Sequence, residues 1–354
     1  MKIIILIVSI VGIFFSVIWL CNVPGFPAGN AFIGSLGAFL LLTNKLRKEK
    51  TKKSKTISDK DKKDINNLFK GYFELINITD KVPELKRDKR INVDCQKRTS
   101  SEQADPYSIL SKNTKKYPND PPEYPNDPHA ILSKNTKKYD NPLILYYYPV
   151  DHKYILKLRD QGEQPEVISA GLIPFCEEKR ELYLHRRFHG SETYPDYLHI
   201  YAGGYWPPDN SFGRNDSYSL ISTMKREFNE ELTGASFILP KKKYFLVGQE
   251  TDTGFFQFIA LGAKIDPDNS EKLESNWEGD PVTIHFDDLF DKLISDSEKW
   301  VPSGKAHILT WLALGAPDCA NKKLFSGLTA RHLYKKVIKK LKKSSTYKPY
   351  DIYS

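Results

Sequence analysis

The stretch MKREFNEELTG, residues 224–234, sets Glu227, Glu230 and Glu231 within five positions, beside Arg226 and ahead of a glycine. On a helix, with Glu227 as zero, Glu230 falls about 60° to one side and Glu231 about 40° to the other, so the three carboxylates share a stripe roughly 100° wide. Leu220, Ile221, Met224 and Phe228 fall between about 20° and 120°, so the apolar face lies beside the acidic stripe. Ser219, Ser222, Lys225 and Asn229 cover the far side. The carboxylates therefore stand at the margin of a buried face, where they can look into a cleft. Their placement is poor for the helix itself. Glu230 and Glu231 occupy the last turn, where the macrodipole disfavours anions, and the Glu227/Glu231 pair repels by roughly 0.2–0.5 kcal/mol. A hard divalent cation, Mg²⁺ or Mn²⁺, held by oxygen ligands would offset that repulsion. A solvated acidic face on a surface helix has the same spacing and needs no metal.

These residues need elements to position them. Ser217–Leu232 reads as a helix, with Asn215, Asp216 or Ser217 as its N-cap and Gly234 just past its end. The runs at 143–150, 167–176, 181–187 and 197–204 before it, and at 244–250 and 254–265 after it, are β-type. A further run spans 282–293, and a second helix fits Lys305–Leu314. One helix embedded among strands is an α+β pattern.

The glycine pair Gly203-Gly204 after a strand, followed by REFNEE, resembles the Nudix box, G-x5-E-x7-R-E-U-x-E-E-x-G-U with U aliphatic. Arg226, Glu227, Phe228, Glu230 and Glu231 match R-E-U-x-E-E, with Phe in the aliphatic place. AGLIPF followed by ELYLHRR is similar to the opening of such a domain. The resemblance covers roughly 143–343. It implies an α/β/α sandwich with a mixed sheet, and divalent cations bound by Glu227, Glu230 and Glu231. It also implies a catalytic role for Glu227 or Glu231 in activating water against a pyrophosphate. Arg226 would hold the helix, and Glu274 or Glu278 would add an acid from a later loop. Gly203, Gly204, Tyr205 and Trp206 would contact the ligand; Tyr201, Tyr205, Trp206 and Phe212 would offer stacking surface, with ordinary packing as the alternative for each ring. The chain departs from the pattern in three places. Twenty-one residues separate Gly204 from Arg226 against thirteen in the pattern; Tyr218 stands where the pattern has its first glutamate; and Thr233 is added before Gly234. Asp209 and Asp216 are the acids available to replace that glutamate. The departures bear more on hydrolysis than on binding.

Charge bounds the partners. The chain carries a formal +9, but 45–55 holds +6 and 329–343 holds +7, which leaves the remainder at −4. Two basic segments on an acidic body do not make the broad patch expected of a stable nucleic-acid binder; they suit anionic lipid headgroups. The cysteines Cys21, Cys95, Cys176 and Cys319 are scattered, which argues for free thiols in a reducing compartment.

Ile3–Leu20 is eighteen residues without a charge, long enough to cross a bilayer. A Pro/Gly-rich break and a second apolar run, Ala31–Leu42, follow, and the basic block comes next. This reads as a two-helix transmembrane hairpin over 1–43, with the basic side cytoplasmic. A cleaved signal peptide, or one anchor with a membrane-buried loop, is the competing reading. Residues 44–142 read as a basic stalk and a Pro/Asn/Lys-rich linker. Within them Ile65–Ile78 has helical spacing, and ILSKNTKKY occurs twice, at 109–117 and 131–139. Two copies are too few for a solenoid and read as a duplicated flexible segment. The Nudix-like domain is expected over 143–343, with a tail at 344–354.

A Nudix domain behind a membrane hairpin is similar to the transmembrane–Nudix effectors of CBASS antiphage systems. That likeness implies a multi-pass protein of the bacterial inner membrane whose cytoplasmic domain senses a cyclic nucleotide. It further implies a homo-oligomer whose hairpin disrupts the bilayer. The alternative is an anchored, metal-dependent hydrolase of a nucleoside diphosphate derivative such as NAD or ADP-ribose.

Overall fold

The computed structural model describes residues 57–87, 128–133, 136, 138, 143–191, 193–205, 220–231, 237–239, 243–268, 274–275, 278–295, 298–317, 319 and 323–343. The chain divides into two units, Met1–Thr56 and Ile57–Ser354, and all described residues belong to the second. The apolar runs expected to form a hairpin, the basic block at 45–55, the first repeat copy at 109–117 and the tail lie outside the described residues. Among the described residues, no helix is long and apolar enough to cross a membrane.

A mixed sheet of twelve strands, among the described residues, organises the second unit. Its centre is β5 (Val167–Cys176), buried at all ten positions. That run, VISAGLIPFC, is apolar without alternation because helices cover both of its faces. It runs parallel to β11 (Phe255–Ile265) and antiparallel to β8 (Tyr201–Gly204). Beyond β11 lie β10 (Phe245–Glu250) and β1 (Phe73–Thr79), each antiparallel to its neighbour. On the other side of β5 come β3 (Pro128–Leu132), β4 (Ile144–Asp151) and β2 (Glu84–Arg87), of which β2 and β4 run parallel. An arm of β6 (Glu181–Arg187), β7 (Leu198–His199) and β12 (Gly279–His285) joins through β6, and β9 (Phe237–Ile238) pairs with β11.

Each face of β5 and β11 carries its own core. On one face, Ile173, Phe175, Ile259 and Leu261 pack with helices α1 (Asp59–Leu68), α4 (Leu289–Ile294), α5 (Pro302–Ala313) and α6 (Ala330–Leu341). On the other, Ile168, Ala170, Leu172, Phe256 and Phe258 pack with α3 (Leu220–Glu231) through Leu220, Met224 and Phe228. The alternation along the two central strands thus supplies both faces, giving helix–sheet–helix layers. The α+β pattern and the mixed sheet agree with the sequence reading. Helix α3 runs over most of the span expected for it.

The linker assignment for 44–142 needs correction. Helix α1 and strands β1, β2 and β3 all fall in it and belong to the domain. The run 65–78 is not one helix. The α1 helix ends at Leu68, Gly71 turns the chain at φ +89°, and Phe73–Thr79 pairs as β1 with β10. The left-handed backbone at Gly71 stops the helix. The second repeat copy is also structural. Ile131 and Leu132 are buried in β3, Thr136 exchanges hydrogen bonds with the Tyr146 backbone at 2.8 and 3.1 Å, and Lys138 pairs with Glu166. A further helix, α2 (His152–Asp160), was not expected.

Candidate functional site

The sheet brings the glycine pair and the acidic helix together. Gly203 and Gly204 end β8, which is held to Ser169 and Ala170 of β5, and α3 crosses the same face. There Arg226 and Glu227 meet the glycines. The Arg226 Nη2 donates to the Gly204 carbonyl at 2.9 Å, and the same nitrogen pairs with the Glu227 carboxylate. Glu227 is buried, and its other oxygen faces Gly203 so closely that a Cβ there would stand 1.8 Å from it. A side chain at that position would displace the Glu227 carboxylate. Twenty-odd residues of intervening chain therefore do not separate the two halves of the box in space; only the loop between them, 206–219, lies outside the described residues.

The other expected ligands divide. Glu230 and Glu231 are in the last turn of α3, one helical turn beyond Glu227, but their side chains lie outside the described residues, as do Trp206, Asp209, Phe212 and Asp216. Glu274 is exposed, and Glu278 stands directly before β12, where its carbonyl accepts from the Phe188 N–H at 2.8 Å. For Tyr201 and Tyr205 ordinary packing holds, in place of stacking. Both are buried, and Tyr201 donates to the Leu184 carbonyl at 2.7 Å and meets Phe228 edge-on. Tyr205 meets Tyr147 edge-on, and burial followed by the neighbouring Tyr147 raises its phenol pKa above the usual range. These rings form the floor under α3; they present no open face to a base.

The fit to a divalent cation rests on the donor set. Glu227, buried beside Gly203, would offer one oxygen ligand, and by helical spacing α3 carries two more carboxylates on the same stripe. Among the described residues, no group of three His, Cys, Asp or Glu side chains is arranged to hold a metal.

A second polar cluster lies on the opposite face, under the N-terminus of α5. Glu250, buried, accepts from Gln257 Nε2 at 2.7 Å, from the Ser303 hydroxyl and from the Thr253 hydroxyl. His199 Nε2 lies 3.2 Å from Ser303 Oγ and 3.9 Å from Glu250. That last contact would be ionic only with a charged imidazole. Burial, with Arg187 next in effect, holds His199 well below its ordinary pKa, so the contact is polar and neutral. Burial likewise pushes His307 down to about 3 and, helped by Arg187, His185 to about 4. His307 stands edge-on to Phe73, and neither of its ring nitrogens has a hydrogen-bond partner among the described residues. Burial raises the Glu250 carboxyl above the ordinary carboxylate range, against hydrogen bonds from Ser303 and Thr253 that lower it. Sequence reasoning missed this cluster. Its members come from β7, β10, β11, the turn after β10 and α5, and no local spacing marks them.

No family profile and no curated protein matches the chain. Among solved structures, a NUDIX hydrolase from Nitrosomonas europaea is similar at 19% identity over 34% of this chain and 74% of that one, with a TM-score of 0.23. A second structure titled as a NUDIX hydrolase from the same organism is 15% identical, covering 44% of this chain and 72% of that one, at 0.24. At these scores the likeness assigns no chemistry. The geometry of Gly203, Gly204, Arg226 and Glu227 has to carry the reading.

Proposed function

We propose that residues 57–343 form a Nudix-like domain that binds a nucleotide through its phosphates and a divalent cation. The chain as a whole would be a membrane-anchored sensor of a cyclic nucleotide, of the kind found in CBASS defence. The observation that carries the site is the seating of Glu227 against Gly203 with Arg226 bridging Glu227 to the Gly204 carbonyl. The anchor rests on the uncharged run Ile3–Leu20 and the basic block behind the second apolar run.

The residues divide the work. Glu227, and from the same stripe Glu230 and Glu231, supply the oxygen ligands, in a place where their mutual repulsion favours a bound cation. Arg226 fixes the Glu227 rotamer and locks α3 to the end of β8, a positioning task. Gly203 gives the carboxylate its room. A bound cation would neutralise phosphate charge and lower the pKa of its water. Tyr218 in place of the box glutamate, together with the longer loop, removes an acid that the hydrolytic pattern includes, which favours binding over turnover.

The test is calorimetry of the full chain in detergent against cyclic di- and trinucleotides, NAD and ADP-ribose, with and without Mg²⁺, with products followed by chromatography. Mg²⁺-dependent binding without turnover, lost in Glu227→Ala, is expected. Turnover of NAD or ADP-ribose abolished by Glu231→Gln would transfer the assignment to the hydrolase. Absence of binding to the whole panel would remove the nucleotide reading.

A further inference from the structure

The cationic face of α6 is a feature that the nucleotide site leaves unused. Placed at 100° per residue from Arg331, the exposed side chains Arg331, Lys335, Lys339, His332, Lys336 and Lys340 fall between about 0° and 180°. The buried set, Leu333, Val337, Ala330, Leu341, Tyr334 and Ile338, fills about 200° to 340°. One half of the helix is core and the other half is cation, with no acid between. A groove of 590 Å³ runs along the cationic half, lined by Thr329, Arg331, His332, Lys335, Lys336 and Lys339. Arg331 pairs with Asp61 and Lys342 with Asp64, while Lys335, Lys336, Lys339 and Lys340 make no ion pair with any described residue. Four unpaired ammonium groups on two turns repel one another and are stabilised by an anionic partner.

The chain's path says where that partner is. Asp61, which pairs with Arg331 of α6, and Asp64, which pairs with Lys342 just past its end, both stand on α1, which also accepts from the Tyr334 hydroxyl at the Asp61 carbonyl. Helix α1 begins at Asp59, four residues after the basic block 45–55, which itself begins three residues after the second apolar run ends at Leu42. Sixteen residues at most about 3.5 Å each thus link the apolar segment to the helix that holds α6. A linker of that length allows the α6 face to meet the headgroups of a bilayer that carries that segment.

The geometry points to the α6 face as a docking surface for anionic phospholipid headgroups, engaged through Lys335, Lys336, Lys339 and Lys340. It rests on the membrane anchor proposed above for the source of the surface, and on the charge of α6 for its chemistry. Nucleic acid is the less favoured occupant. Among the described residues the groove offers no aromatic stacking surface beyond His332, and the chain outside the two basic segments is net −4, which repels an extended polyanion.

The experiment uses the full chain reconstituted into vesicles of phosphatidylcholine alone and of phosphatidylcholine with added phosphatidylglycerol. Flotation reports membrane association, and acetylation footprinting reports the four lysines, with exposed Lys157 on α2 as the control. A headgroup contact strengthens binding by about fivefold per cation, so the four lysines should lose about tenfold in reactivity with phosphatidylglycerol and regain it in high salt. Lys157 should not change. The combined Lys335→Glu, Lys336→Glu, Lys339→Glu and Lys340→Glu variant should show no lipid-dependent slowing of hydrogen exchange across 330–341. The Gln version, which removes charge without reversing it, should behave the same. Flotation in both vesicles with equal lysine reactivity would overturn the docking surface and leave the anchor standing. Flotation only with phosphatidylglycerol, abolished in the variant, would keep the surface and overturn the anchor. Protection of the four lysines by RNA in neutral vesicles, with none from phosphatidylglycerol, would overturn lipid as the occupant.

Discussion

Glu227 and Glu250 are both buried, at 7% and 5% exposure, and they teach opposite lessons about a carboxyl group inside a protein. Glu227 has a guanidinium beside it and a glycine in front of it. Glu250 has only neutral donors, Gln257, Ser303 and Thr253, and burial raises its pKa. The first is held in an ion pair beside the end of β8. The second is satisfied on all sides and sits under a helix N-terminus in the other core. Burial alone therefore does not mark a functional acid. Glu227 differs in its neighbourhood, which sets the Arg226 guanidinium beside the carboxylate.

The comparison breaks most visibly at Gly203. An alanine Cβ would fall 1.8 Å from the Glu227 carboxylate, so Gly203→Ala must push that side chain out of its seat. Mg²⁺-dependent nucleotide binding should weaken by about a hundredfold or more in calorimetry, as when a fixed ligand is misplaced by an ångström. Glu250→Ala is the converse. It leaves two hydroxyls and an amide without their acceptor, at a cost of about 3 kcal/mol, read as a melting midpoint lower by on the order of 10 °C. Nucleotide binding should be unchanged. If Glu250→Ala abolished binding at temperatures where the chain is folded, the division of roles would be wrong.

The acid side of the stability curve sharpens the contrast further. His185 and His307, at about 4 and about 3, and His199, well below its ordinary value, are neutral in the fold and ordinary in the unfolded chain. Their contribution is full above about pH 6.5 and is lost as pH falls toward 4, because protons bind the unfolded state first. Glu250 has the opposite sign. Its raised pKa makes a contribution that is full below about 4.5 and lost as pH rises through the folded value. Urea unfolding at stepped pH should lose a few kcal/mol between pH 7 and 4, on the order expected for buried imidazoles. Glu250→Gln should leave that acid loss in place and flatten the rise-side loss, with a change at neutral pH of about 1 kcal/mol or less.

The same contrast explains what the sequence discloses. Arg226, Glu227 and Phe228 are contiguous on one helix, so their faces follow from helical geometry, and the glycine pair is recognisable from its own strand. The central strands are legible because two-sided burial makes them apolar throughout. Glu250, Ser303, His199 and His307 come together only through the packing of α5 on the sheet, and each alone is an unremarked polar residue. Helix α1 and strands β1 to β3 escaped for a related reason. Their lysine-rich, asparagine-rich text reads as linker, because a strand such as β1 gains its place by pairing with β10, a contact 170 residues away. Tyr201 and Tyr205 went the other way: aromatic rings beside a glycine pair suggest stacking, but the sheet turns them inward.

The smallest effect comes from Arg226→Lys, which keeps the charge and changes the fork. Arg226 holds the Gly204 carbonyl and the Glu227 carboxylate together through its guanidinium, with α3 fixed to the end of β8 as a result. An ammonium can satisfy either partner but lacks the planar donors that hold both. The charge is kept and the Arg226 side chain is 29% exposed, so solvent screens part of the weakened ion pair, and stability should fall by about 1 kcal/mol or less. Nucleotide affinity should fall by about tenfold, since the carboxylate stays near Gly203 but loses its fixed rotamer. An affinity loss matching that of Gly203→Ala would show that Arg226 contacts the ligand itself, and the contrast between a positioned and a self-satisfied glutamate would then have to be rebuilt around a third, cationic participant.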